Sequence, residues 1–217
     1  MGTLKTRIFL ALLLSLALVP GRGQSLLDGF HPVDSPEQLV KHLYENATKI
    51  ETIQSRFVQK KQLEFLDETI ISRGSFFFKK DNQLRWAYEK PFEYVIVINS
   101  GKFLIKDGEQ VSTFDIESNP AFTEINRLIV GMVSGNINEE KFEMEAFENS
   151  SQYRVSLVPL DETMKEVIST MEIYFDKSDL AVAKVLMKES EKDYTVITFI
   201  DKKINEPIEE SVFSADY

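Results

Sequence analysis

An apolar run opens the chain. Ile8–Val19 is interrupted only by Ser15, follows Lys5 and Arg7, and is broken by Pro20-Gly21. At 12 residues it falls short of the roughly 20 that a membrane span needs. Gly21 and Gly23 place small residues at the −3 and −1 positions of a cleavage site before Gln24. This is the pattern of an export signal rather than of an anchor. Residues 1–23 are therefore expected to be removed, leaving 24–217 as a single domain.

The next pattern is helical. Ser35 stands as an N-cap, Pro36 takes the first helical position, and Gln38 completes a capping box. Leu39, Val40, Leu43, Tyr44, Ala47 and Ile50 follow at helical spacing. From Ile53 the period changes to two. Strands are predicted over Ile53–Phe65 and Ile70–Lys79, joined by a turn at Leu66-Asp67-Glu68. In the next strand Leu84, Trp86 and Tyr88 face one way and Arg85, Ala87 and Glu89 the other, the mark of a half-buried strand. Pro91 ends it. Tyr94–Ile98, Phe103–Ile105 and Val111–Ile116 come next, with turns at Asn99-Ser100-Gly101 and Asp107-Gly108. A second helix begins at Asn119-Pro120. Its apolar stripe is Ile125, Leu128, Ile129, Met132 and Val133, and Gly135 is its C-terminal cap. Lys141–Glu148, Gln152–Val158, Val167–Phe175, Ala181–Lys188 and Tyr194–Ile204 then read as strands, and Glu209–Phe213 as a short helix.

Strands joined by tight turns pair antiparallel. Helices are too few for parallel crossovers. The pattern thus predicts an α+β chain, mainly antiparallel β, whose one large sheet curls. The two amphipathic helices are the only elements available to cover its concave face.

Charge and composition narrow the chemistry. The formal net charge is −10, and becomes −13 without the signal, so no nucleic acid or anionic bilayer is expected on a basic surface. The chain has no cysteine and only two histidines, His31 and His42, neither in a nucleophile motif. No phosphate-binding loop, dinucleotide fingerprint or zinc motif is present, and the acidic clusters lack calcium-loop spacing. No enzyme activity, cofactor or metal is expected. Phe76-Phe77-Phe78 and Tyr94–Ile98 are apolar at every position, so both faces of that region must be covered. An ordinary sandwich core explains this, and so does a cavity walled by some of these side chains.

Four segments carry a resemblance. Phe57-Val58-Gln59-Lys60, Ser72-Arg73-Gly74-Ser75-Phe76, Leu84-Arg85-Trp86-Ala87-Tyr88-Glu89-Lys90-Pro91 and Gly101-Lys102 resemble, in order and spacing, the periplasmic carriers of outer-membrane lipoproteins, the LolA family. Asn119-Pro120 and its helix are similar to that family's lid. The resemblance covers roughly Leu39 to Gly135. It implies an open, half-closed β-barrel with an α-helical lid over an apolar cavity. It also implies a Gram-negative periplasm and a monomer without cofactor. The partners it implies are acylated lipoproteins, an inner-membrane lipoprotein-releasing transporter and an outer-membrane acceptor. The cavity would be walled by Phe57, Phe76, Phe78, Leu84, Trp86, Tyr88 and Ile96, and lidded by Ile125, Leu128, Ile129, Met132 and Val133. Three positions at two sites depart from the family pattern. Lys80-Asp81 stands where relatives carry Arg-Pro, so Lys80 is the candidate lid latch, a point charge without guanidinium's planar fork. Ser100 replaces the aspartate of an Asp-Gly-Lys turn. A carrier of another acylated lipid or glycolipid, or a lipid-sensing regulatory domain, would suit the same scaffold.

Overall fold

A computed structural model describes residues 29–65, 68–80, 82–116, 131 and 141–214. The strands are β1 (His31–Pro32), β2 (Thr52–Gln62), β3 (Ile70–Lys79), β4 (Gln83–Lys90), β5 (Tyr94–Asn99) and β6 (Lys102–Asp107). After β7 (Gln110–Asp115) come β8 (Phe142–Glu148), β9 (Gln152–Pro159), β10 (Thr170–Asp176), β11 (Val182–Lys188) and β12 (Tyr194–Ile204). Helix α1 spans Pro36–Ala47.

Among the described residues all 12 strands form one antiparallel sheet, in the order β1-β8-β9-β10-β11-β12-β2-β3-β4-β5-β6-β7. β12 pairs with β2, so the two halves of the chain meet in the middle of the sheet. β1 and β7 remain as its two edges, which makes the barrel open. The expected six strands before the second helix and five after it are all present. β1 is the addition, a two-residue bridge from the segment before α1 to β8 through His31↔Glu148 and Pro32↔Phe147.

Local chemistry explains most of the element boundaries. Ser100 (φ 52°) and Gly101 (φ 72°) give the two left-handed residues that a tight hairpin between β5 and β6 requires. Pro36 opens α1, and Val40, Leu43 and Ala47 form its buried face. The expected capping box is absent: the Ser35 side chain makes no capping bond, and only its carbonyl accepts, from Leu39 N–H at 3.1 Å. β2 stops three residues short of Phe65, where the Asp193 carboxylate accepts from the Glu64 amide at 2.6 Å and turns the chain out of the ladder. β10 starts at Thr170 rather than Val167, after a single helical turn, Glu162–Lys165, that Asp161 caps through the Met164 amide. Of the expected second helix only Gly131, which is helical, is among the described residues; Ile125, Leu128, Ile129, Met132 and Val133 lie outside them.

The half-buried reading of β4 needs correction. Arg85 and Ala87 are buried along with Leu84 and Trp86. A C-terminal 3-10 turn, Glu210–Phe213, crosses the outer face of the sheet here. Val212 and Phe213 pack on Val97, with Phe77, Val95 and Leu104 around them. Arg85 Nη1 donates to the carbonyls of Ser214 (3.1 Å) and Val212 (3.4 Å). Two-sided covering thus accounts for the unbroken apolar runs at Phe76–Phe78 and Tyr94–Ile98.

The inner face carries two apolar clusters. One gathers Phe57, Phe76, Phe78, Leu84, Trp86 and Ile98 on the β2–β5 side. The other gathers Leu43 of α1 with Val155, Leu157, Met171, Ile173 and Val185. Met187 and Phe199 border both clusters.

Candidate functional site

Strand alternation points Phe57, Phe76, Phe78, Leu84 and Trp86 to the inner face, where all five are buried in one cluster. Tyr88 and Ile96 pack at its margin. The sheet register makes the rings meet. Phe76 is paired with Trp86 across β3 and β4, and Phe57 with Gly74 across β2 and β3. The Trp86 ring then lies 5.1 Å from that of Phe57 and 5.2 Å from that of Phe76, both tilted or edge-on. Edge contacts of this kind suit aromatic quadrupoles.

A hollow of about 40 Å³ opens at the seam of the two clusters. Ile53, Phe76 and Trp86 wall one side, and Val185, Met187, Ile197 and Phe199 the other. Water needs about 10–15 Å³ in this measure, so the hollow takes only a few solvent-sized groups. A longer guest must part the side chains around it. Of the expected wall residues, Phe76 and Trp86 border the hollow. Phe57, Phe78, Leu84, Tyr88 and Ile96 support them from the same face. The residues of β11 and β12 were not anticipated. Their alternation, Val185/Met187 and Ile197/Phe199, would have placed them on the inner face, but it carries no motif.

Polar groups near the hollow are few, and most are engaged. Ser55 Oγ donates toward the carbonyls of Arg56 (2.7 Å) and Ile200 (3.0 Å). Lys202 Nζ is held by Asp176 Oδ2 (2.8 Å), Asp179 Oδ2 (3.0 Å) and the Ala181 carbonyl (3.4 Å). Burial works against the Asp176 carboxylate. Hydrogen bonds from Lys202 and Gln152 and the lysine charge outweigh it and hold its pKa below the ordinary value. The Tyr88 hydroxyl donates to Gln59 Oε1 at 2.9 Å. Burial, with Tyr94 beside it, pushes its pKa up to about 12, so it stays a neutral donor. Trp86 Nε1 is buried and has no hydrogen-bond partner. Trp86 interacts with the Tyr88 hydroxyl strongly enough to offset part of the rise there.

Lys80, the candidate latch, bonds Glu51 Oε1 at 2.7 Å and the Thr48 carbonyl at 3.2 Å, which ties β3 to the C-terminal end of α1. Its expected partner, the second helix, is outside the described residues but for Gly131. Among the described residues no acidic and histidine cluster suits a metal ion. No helix there is long and apolar enough to cross a membrane.

Residues 48–216 match the family model described as outer membrane lipoprotein carrier protein LolA. No curated protein matches the chain. Solved structures share the fold at low identity. MucB of Pseudomonas aeruginosa, in its complex with MucA, is 13% identical with a TM-score of 0.53, and the match covers 82% of this chain and 60% of that one. An uncharacterized conserved protein of Thermus thermophilus is 10% identical with a TM-score of 0.50, covering 82% and 93%. A LolA superfamily protein of Nitrosomonas europaea is 10% identical with a TM-score of 0.43, covering 82% and 98%.

Proposed function

Since the chain belongs to the LolA family of outer membrane lipoprotein carrier proteins, we propose that it is a periplasmic carrier that shields lipoprotein acyl chains and shuttles them from the inner to the outer membrane. The observation that carries this reading is the apolar hollow at the seam of an open half-barrel, rimmed by Phe76, Trp86, Met187 and Phe199. Each CH₂ buried is worth about 0.8 kcal/mol. Two or three long acyl chains in water therefore cost on the order of tens of kcal/mol. A flat patch cannot shield them, whereas a hollow that widens can, without specific polar contacts. Met187 suits a wall that must adapt to different chains.

In this reading residues 1–23 direct export. Ile125, Leu128, Ile129, Met132 and Val133 form a lid stripe that fills the cavity until cargo displaces it, and Lys80 helps to latch that lid. A releasing transporter at the inner membrane and an acceptor at the outer membrane complete the route. The test uses protein purified from the periplasm of its own host. Native mass spectrometry is expected to show an acylated polypeptide bound, and in delipidated protein Leu128→Glu is expected to lower lipoprotein uptake severalfold with the circular dichroism unchanged. A glycolipid as the only adduct would replace the cargo while keeping the scaffold. A tight complex with a regulatory protein would favour the sensing alternative; MucB, which shares the fold, is seen in complex with a second protein, MucA.

A further inference from the structure

The sheet register gathers the connections between strands at two ends. Lys61 pairs with Ile70, Arg73 with Lys90, Gln62 with Tyr194, and Lys188 with both Tyr194 and Thr170. The connections after β2, β4, β9 and β11 therefore lie at one end. α1 is held at the other. Lys80, just past β3, donates to the Thr48 carbonyl at the C-terminus of α1, and Asn46 Nδ2 donates to the Asp179 carbonyl in the β10–β11 turn at 3.1 Å. Among the described residues the four most exposed large apolar side chains are Phe92 (80%), Phe65 (78%), Val167 (63%) and Leu160 (54%). All four stand in the connections at the end away from α1. Single exposed apolar residues need no explanation, but such a gathering at one end marks a surface that meets something else.

We propose that this end docks on a neutral, zwitterionic lipid surface, with Phe65, Phe92, Leu160 and Val167 inserted at the headgroup boundary. This rests on the carrier reading and adds the place where cargo enters and leaves. Three features point to such a surface. The side chains stand on three separate connections, so they offer separate tips rather than the continuous complementary patch that a stable protein interface needs. A fluid bilayer takes separate tips, and its hold on them grows with the apolar area they bury. The charges at this end give an anionic surface nothing to grip. Lys61, Lys165 and Lys192 are paired with Glu189, Glu162 and Glu64, and Glu93 and Glu166, next to Phe92 and Val167, are exposed. The hollow also reaches toward this end: Met187, part of its wall, stands one residue before the end of β11. An acyl chain drawn from the lipid surface therefore meets the hollow from the docked side.

The experiment floats delipidated protein with vesicles of phosphatidylcholine and phosphatidylethanolamine. The protein comes from the periplasm of its own host and is checked by mass spectrometry to begin at Gln24, so that residues 1–23 contribute nothing. The wild type is expected to rise with the vesicles. Phe65→Ser/Phe92→Ser is expected to lower the bound fraction about tenfold. Leu160→Ser/Val167→Ser, on another connection, is expected to lower it severalfold. Binding of a fluorescent polyene from solution, and its displacement by dioctanoylglycerol, should be unchanged in both variants. A wild type that stays in the bulk solution overturns the proposal, and leaves the carrier reading intact where the polyene still binds. Flotation of both variants like the wild type also overturns it. So does flotation only with vesicles containing phosphatidylglycerol, which needs a basic surface. A wild type that binds no polyene removes the carrier reading and this proposal with it. Should one variant fail to fold, the other decides.

Discussion

At position 74 a methyl group would stand 1.9 Å from the Ala87 carbonyl oxygen and 2.9 Å from the Phe57 ring. Both neighbours are fixed, one as backbone in β4 and the other as a ring buried against Trp86. Only glycine lets Phe57 lie flat across β3. We expect Gly74→Ala to destabilise the protein by about 3 kcal/mol, read from urea unfolding. A loss below about 1 kcal/mol would mean that β3 and β4 separate easily. The glycine itself was conspicuous in the sequence, inside Ser72-Arg73-Gly74-Ser75-Phe76. Its reason was not, because that depends on a carbonyl 13 residues away and a ring from another strand. The same holds for Trp86. Its inward direction follows from alternation, but its unpaired indole N–H emerges only once every neighbouring acceptor has been placed.

Among elements, the C-terminal turn shows what period-two reading misses. The strand ends at Lys90, Asn99 and Asp107 fell at turns built on Pro, Asn, Asp and Gly, since those residues act through local backbone geometry. Alternation also assumed a wet outer face for β4. The 3-10 turn Glu210–Phe213 removes that water, held by Arg85 and by Asn99 Nδ2, which donates to the Phe213 carbonyl at 3.1 Å. Nothing in β4 announces a cover that arrives more than 120 residues later. Phe213 is 1% exposed on the face opposite the hollow. Phe213→Ala should therefore cost about 3 kcal/mol of stability in thermal unfolding. Polyene uptake at a temperature where the variant stays folded should not change. A loss of uptake by the folded variant would show that the two faces of the sheet are coupled.

For the molecule as a whole, the point of interest is the seam where β12 meets β2. The family-like motifs lie on the β2–β6 side, and Phe76 and Trp86 among them border the hollow. The other wall comes from β11 and β12, whose residues are ordinary core types and so gave no sign of their place. Phe199 joins the two: it borders both clusters and lies 5.4 Å from the Phe76 ring and 6.0 Å from that of Trp86. If cargo and core side chains compete for this space, thinning the core must cost the empty protein more than the loaded one. Phe199→Ala is expected to destabilise the empty protein by about 3 kcal/mol, the usual scale for deleting a large core ring. A ligand that binds only the folded state raises the melting temperature with its occupancy and affinity. Saturating dioctanoylglycerol should then raise the melting temperature of Phe199→Ala by more than it raises that of the wild type, because the guest refills the vacated volume. Differential scanning fluorimetry at matched lipid concentrations reads both shifts. Equal shifts would place the cargo elsewhere and leave the seam as plain core.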